Sequence, residues 1–289
     1  MQLGFMTNVP VRYGMKDLET VARWAAENGF VHLEVGPTIP LDEREFDRVR
    51  AETGVAVSAL TYCRNYLSSD PEEAEHHLDQ LKQRILFAGR MGIPRIVTST
   101  GIDKKVQEGI YDTAESIRKA PARSLQAVTE TFLPLVELAE GCGVQITFEN
   151  CPLMGNIAIS PVLWEQLFQR LDSANVGLTF DPSHLVWQHM DPYACSPEFA
   201  HKIFHVHAKD MHIDRAVLAR TGFLTDFSWW HARIPGRGDL DWARLLGTLK
   251  ACGFDGTVSL EHEDSDVEGS LEKVQQGLLL GRDHLRGLL

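Results

Sequence analysis

Cysteine is scarce in this chain, and the few present lie far apart. Cys63, Cys142, Cys151, Cys195 and Cys252 are all there are in 289 residues, with no C-x-x-C pair. Neither a disulfide framework nor a zinc ribbon is expected from that pattern. No apolar run approaches the roughly 18 residues that a membrane-spanning helix needs. The opening Met1-Gln2-Leu3-Gly4-Phe5-Met6 carries no basic leader and no long apolar stretch, so a secretory signal is not expected. Positive charge is also short: 28 Lys and Arg face 40 Asp and Glu, a net charge of −12. Nucleic-acid binders normally show a basic face, so neither a nucleic-acid nor a membrane partner is expected. A glycine-rich phosphate turn is missing too. The first apolar run is followed by Thr7-Asn8-Val9-Pro10, with no G-x-G-x-x-G and no P-loop. The expectation is an acidic, soluble, cytoplasmic protein whose 44% hydrophobic content is enough for a sizeable core.

Strand-like and helix-like stretches alternate along the chain. Strands are expected at Leu3–Thr7, Val31–Val35, Val55–Leu60, Ile93–Thr98, Val144–Phe148, Val176–Phe180, Ile203–Ala208 and Thr257–Leu260. Leu18, Val21, Ala22 and Ala25 behind Asp17 have helical spacing, and Gly29 closes that helix. Asp70-Pro71-Glu72-Glu73 is a second strong helix start, combining a cap with a proline at the first helical position. A polar loop is expected to run to about Pro121, before a long helix marked by Leu125, Val128, Phe132, Leu135, Val136 and Ala139. Later helices are expected from Ser160-Pro161, from near Asp239 and from about Val267. Strands separated by helices imply parallel pairing and right-handed crossovers. Eight such units match an α/β fold, a closed (β/α)₈ TIM barrel, as a single domain over 1–289. An open doubly wound sheet would normally carry the glycine-rich turn that is lacking here. The segment of about 209–238 reads as a long loop over the active-site mouth.

In such a barrel alternate residues point inward and the chemistry sits at the C-terminal strand ends. Strand parity then sorts the later strands. Gln145, Thr147 and Glu149 share one face, as do Gly177, Thr179 and Asp181, His205 and His207, and Thr257, Ser259 and Glu261. The apolar residues between them take the face that helices cover. Glu149, Asp181, His207 and Glu261 end consecutive strands and are expected to converge. Three carboxylates that close would repel unless a cation joined them. One imidazole with three oxygen donors and no thiolate suits one divalent cation, Mn²⁺ first, with Mg²⁺, Co²⁺ and Zn²⁺ also compatible. His184, just past the sixth strand, is assigned to a substrate oxygen. His205 is expected one layer below, orienting a ligand. Glu34 shares the inward parity of His32; it faces substrate, backs a ligand, or is a buried structural carboxylate. Trp229, Trp230, Arg233 and Arg237 are expected either to form a lid that stacks on a sugar ring or to pack the loop onto the barrel.

Phe148-Glu149-Asn150, Phe180-Asp181-Pro182-Ser183-His184, His205-Val206-His207-Ala208-Lys209-Asp210 and Leu260-Glu261-His262 resemble the xylose-isomerase-like barrel superfamily, in order and over nearly the whole chain. The resemblance implies metal ligands at Glu149, Asp181, His207 and Glu261. It also implies an acid/base pair of Glu149 and Glu261, with substrate contact at His184. Lys209, within the third motif, joins Glu34, Trp230 and Arg237 as an expected substrate contact. The chain departs from the ketose 3-epimerase branch after His207, where Ile213 stands near the position of an expected arginine, with Arg215 slightly beyond. Its Trp229–Asp239 segment also resembles sugar-phosphate isomerases/epimerases and the barrel subunit of enzymes that cleave 3-keto C-glycosides.

The expected activity is a metal-dependent sugar or sugar-phosphate isomerase or epimerase, shifting a proton beside a carbonyl through an enediolate. The alternative is a lyase or dehydratase on a 3-keto sugar or glycoside. An endonuclease IV-like activity would need more histidine ligands and a basic surface, and a non-catalytic metal- or sugar-binding barrel is the remaining class. The expected partner is a small sugar, with homo-oligomer formation left open.

Overall fold

A computed structural model describes residues 1–102, 114–153 and 155–289. Eight parallel strands close into a barrel: β1 (Gln2–Met6), β2 (His32–Val35), β3 (Ala56–Thr61), β4 (Arg95–Thr98), β5 (Gln145–Glu149), β6 (Val176–Phe180), β7 (Ile203–Ala208) and, after a separate hairpin, β10 (Thr257–Leu260). Around the barrel they run β1–β10–β7–β6–β5–β4–β3–β2. Every residue of β6 is buried, as expected of a parallel strand covered on both faces. Local signals set the helices. Asp17 accepts a hydrogen bond from the Thr20 amide and starts Leu18–Glu27. Asp70 does the same for Glu72 and Glu73 ahead of Pro71–Met91.

The chain forms two compact units, Met1–Val57 with Phe180–Leu289, and Ser58–Thr179. In the first, β2, β1, β10 and β7 lie side by side, with Gly4 opposite His32 and Ser259, and Ser259 opposite His207. In the second, β3 to β6 pair in sequence order, with Thr147 opposite Gly177 and Glu149 opposite Thr179. The Thr147 and Thr179 hydroxyls lie 2.7 Å apart, fully buried.

Three expectations are corrected. The segment of about 209–238 is not one long loop. It holds the antiparallel pair β8 (Asp210–Ile213) and β9 (Trp230–Arg233), with the helical stretch Arg215–Thr225 between them. Among the described residues these strands pair only with each other, outside the barrel's alternation of strand and helix. The loop expected to reach Pro121 gives way to helix Ala114–Gly141, because a charged first turn and a proline hid its start; residues 103–113 lie outside the described residues. The helix placed near Asp239 starts at Trp242 behind an Asp241 cap. Among the described residues no helix is long and apolar enough to cross a membrane, and the cysteines are free.

Candidate metal centre

Asp181 follows β6 directly and is fully buried. It caps the short helix Pro182–Val186, accepting a hydrogen bond from the Ser183 amide at 2.8 Å. The Asp-Pro turn therefore does local work, and it aims the second carboxylate oxygen elsewhere. That oxygen, Oδ2, lies 3.0 Å from the Lys209 ammonium and 3.4 Å from His184 Nε2. His184 sits one turn into the helix, and its Nδ1 accepts the indole N–H of Trp187 at 3.2 Å.

Parity on β7 puts His205, His207 and Lys209 on one face. His207 is the pivot. Its Nε2 lies 3.0 Å from both Glu34 oxygens, while its Nδ1 faces Glu261 Oε2 at 3.4 Å. His205 Nε2 meets Glu34 Oε2 at 2.8 Å. Glu34, at the end of β2, is fully buried and backs both imidazoles. With Nε2–H given to Glu34, the Nδ1 lone pair of His207 points toward the carboxylates. That is the usual arrangement of a metal-binding histidine, whose other nitrogen is held by a carboxylate. Asp181, His207 and Glu261 each offer a ligand atom within 4.8 Å of the others, and so do Glu34, His205 and His207. The first set is two carboxylates and an imidazole, a donor set suited to a divalent cation.

Lys209 is the cation already present. Only 2% exposed, it donates to Glu261 Oε2 at 2.8 Å and lies 3.1 Å from Glu263 Oε2 as well as beside Asp181. Its ammonium is also 3.2 Å from His184 Nε2. The carboxyl groups respond differently. Burial raises the Asp181 carboxyl above its ordinary range, and Lys209 only partly offsets that. Burial also pushes Glu261 up, but Lys209 and His207 outweigh it and hold the group far below. Burial of Glu34 is likewise outweighed by His207 and His205, leaving it well below the usual range.

The remaining expected residues fall as follows. Glu149 ends β5 in the second unit, buried, with the Cys63 thiol 3.7 Å from its Oε2. It pairs with Thr179, two residues before Asp181. Trp229 is fully buried in a cluster with Met211 and Ile213. Trp230 stacks on Trp187, with ring centroids 5.5 Å apart and planes 9° from parallel. Arg237 is engaged with Asp264 at 2.8 Å and Asp266 at 3.3 Å, and Arg233 meets Asp264 at 3.1 Å. Two residues of the cluster were absent from the sequence reading. Glu263 shares the parity of Glu261, and Trp187 lies three residues after His184; both signals were available locally.

The xylose isomerase-like TIM barrel family matches residues 22–285. The chain is 28% identical over 319 residues to the uncharacterized protein YfiH of Bacillus subtilis (strain 168), covering 96% of this chain and 99% of that one. It is 26% identical over 246 residues to the inosose dehydratase of Clostridium beijerinckii (strain ATCC 51743 / NCIMB 8052), covering 81% and 78%. Among solved structures, the 3-keto-D-glucoside 4-epimerase YcjR from E. coli superposes with a TM-score of 0.74 at 17% identity, covering 98% of this chain and 99% of that one. That last likeness is one of fold.

Proposed function

The chain belongs to the xylose isomerase-like TIM barrel family, and from that membership we propose that it is a divalent-metal-dependent enzyme acting on a sugar or sugar derivative. It shifts a proton at a carbon next to a carbonyl. The observation that carries this reading is the donor set of Asp181, His207 and Glu261, buried at or just beyond the ends of β6, β7 and β10 with ligand atoms within 4.8 Å of one another. Glu149 is proposed as the fourth ligand. A divalent cation held there would polarise the carbonyl as a Lewis acid.

The protein's own groups move the proton. One carboxylate of the pair Glu149 and Glu261 removes it from carbon, leaving an enediolate. The other returns a proton to the same carbon, which epimerises the sugar, or to the neighbouring one, which isomerises it. Glu261 is held well below the ordinary carboxylate range, where Lys209 and His207 outweigh its burial, so it is ionised. Lys209 and His184, whose polar atoms lie 3.2 Å apart beside Asp181, hold the substrate oxygens. Glu34 fixes the orientation of His207.

A second reading is favoured by one observation, the 26% identity to an inosose dehydratase over 81% of the chain. The same carbanion, with a hydroxyl on the next carbon, would expel water. Lys209 Nζ or His184 Nε2–H would then protonate the departing oxygen. Both readings begin with loss of a carbon-bound proton. Incubating the Mn²⁺-loaded protein in D₂O with a panel of ketoses, inososes and 3-keto glycosides, followed by proton NMR, tests them together. Deuterium at a carbon next to the carbonyl with the skeleton retained supports epimerisation or isomerisation. An unsaturated or diketo product supports the dehydratase, and neither deuterium nor product from any substrate would sink both.

A further inference from the structure

A cavity of 380 Å³ opens among residues that the proton-transfer chemistry does not use. Val9 and Arg12 line it from the helix Asn8–Arg12, Trp230 and His231 from β9, and His262 and Glu263 from the segment after β10. Its volume falls within the roughly 300–1,000 Å³ of small-molecule sites. None of Asp181, His207, Lys209 and Glu261 is among its described lining residues. It therefore lies beside the reacting groups, not over them.

Two contacts join the cavity to those groups. Glu263 lines the cavity and lies 3.1 Å from Lys209, which is 2.8 Å from Glu261. Trp230 stacks on Trp187, whose indole N–H donates to His184. The lining mixes an aromatic wall with arginine, histidine and glutamate, the surface that a hydroxylated ring calls for.

The wall also carries unmet hydrogen-bonding capacity. The Trp230 indole N–H is buried with no partner among the described residues. His262 is 1% exposed; its Nε2 faces the Val267 carbonyl at 3.1 Å, and its Nδ1 has no partner among the described residues. A neutral ring that donates through Nε2 leaves Nδ1 as an acceptor. One donor and one acceptor thus stand unpaired in residues of the same wall. Both belong to residues that line the cavity.

We propose that this cavity is a second subsite, holding a hydroxylated ring attached to the reacting sugar, so that the substrate is a glycoside and not a free monosaccharide. This rests on the proton-transfer reading for the identity of the reacting half. A monosaccharide bound at Lys209 and Glu261 would leave the cavity to water; a linked second ring fills it. Trp230 donates to a ring oxygen, and His262 accepts from a hydroxyl.

Saturation-transfer NMR on the full, Mn²⁺-loaded chain tests the subsite, with fructose and the glucosyl-fructose disaccharides turanose and palatinose as probes. Transfer to the glucosyl ring and tighter binding of a disaccharide than of fructose are expected. Trp230→Ala and His262→Ala should each weaken disaccharide binding relative to fructose binding about tenfold, the worth of a hydrogen bond in a closed site. Trp230→Phe retains the stack on Trp187 and removes only the N–H, so it serves if the alanine variants do not fold. Asp181→Asn should retain transfer to the glucosyl ring while losing proton exchange. If exchange fails with every sugar and glucosyl transfer persists, the proton-transfer reading falls and the subsite stands. Absence of glucosyl transfer, or equal disaccharide binding in wild type and the variants, overturns the subsite.

Discussion

Glu34 shows how one buried carboxylate fixes the ring of His207, the proposed metal ligand. Its two oxygens hold the Nε2 of His207, and one of them also meets His205. Two imidazoles on one fully buried carboxylate leave the ring of His207 no freedom to turn. Breaking a buried pair of this kind costs roughly 3–5 kcal/mol, because the groups left behind stay buried. Glu34→Gln retains the shape but removes the charge and offers an N–H toward a nitrogen that must itself donate. That variant is expected to bind Mn²⁺ about 10–100-fold more weakly, measured by competition with a fluorescent chelator. Unchanged affinity would mean that Glu34 does not orient His207.

Lys209 poses the opposite problem, a buried cation among the carboxylates of Asp181, Glu261 and Glu263. Three negative groups and one ammonium leave a net negative site, which a divalent cation would neutralise. Burial raises the Asp181 carboxyl and the Glu261 charge adds to that, against the opposing pull of Lys209.

Among the elements, the β8–β9 hairpin depends on one side chain. Asp210, fully buried, accepts from the amides of Met211, Leu240 and Gly236 and from the indole of Trp242, at 2.8–3.1 Å. Gly236 has φ +88°, a conformation that glycine adopts without strain. The carboxylate thus ties the start of β8 to the turn after β9 and to the helix Trp242–Ala251. Asp210→Ala leaves buried donors unpaired and is expected to destabilise the protein by at least about 3 kcal/mol, read from urea unfolding midpoints. Hydrogen exchange should also rise in Ile213 and Trp230–Arg233 before it rises in the barrel strands. A second clamp, Asp264 with Arg233 and Arg237, occupies both arginines that sequence pattern offered to a sugar.

At the scale of the whole molecule, acid stability and metal stability are coupled. Glu34 has a folded-state pKa below its unfolded value of about 4.3, so its stabilisation is complete above that value. It is lost as pH falls from there through the lower folded pKa. Asp181, raised by burial, works in the other direction: its ionisation opposes folding, and acid relieves that. Glu34 and Glu261 are both held low, against the raised Asp181, so chelator-treated protein is expected to lose stability steadily below about pH 4.5, with a shallower loss in Glu34→Gln. Thermal melts across pH 3–7 measure this, and parallel profiles for the two proteins would refute it. Adding Mn²⁺ at 100 times its Kd contributes about 2.7 kcal/mol and should raise Tm by roughly 5 °C, an increase that Asp181→Asn should lose.

Much of the barrel was legible along the chain, because strand and helix signals are local. Asp17 and Asp70 cap the helices that their spacing announces, and the polar faces of β5 and β6 meet through Thr147 and Thr179. Parity also separated His205 and His207 from their apolar neighbours. β8 and β9 were hidden, since they pair with each other and stand outside the strand–helix alternation of the barrel. Pairings across the fold were hidden for a different reason. Glu34 and His207 stand 173 positions apart, and three readings of Glu34 fitted its strand equally well. Arg237 could have faced a sugar as readily as Asp264, and Lys209 could have pointed to solvent. Local pattern sets which face a side chain takes, because each strand alternates on its own. Which partner it meets there depends on how distant strands stand in register, and only the closed sheet supplies that.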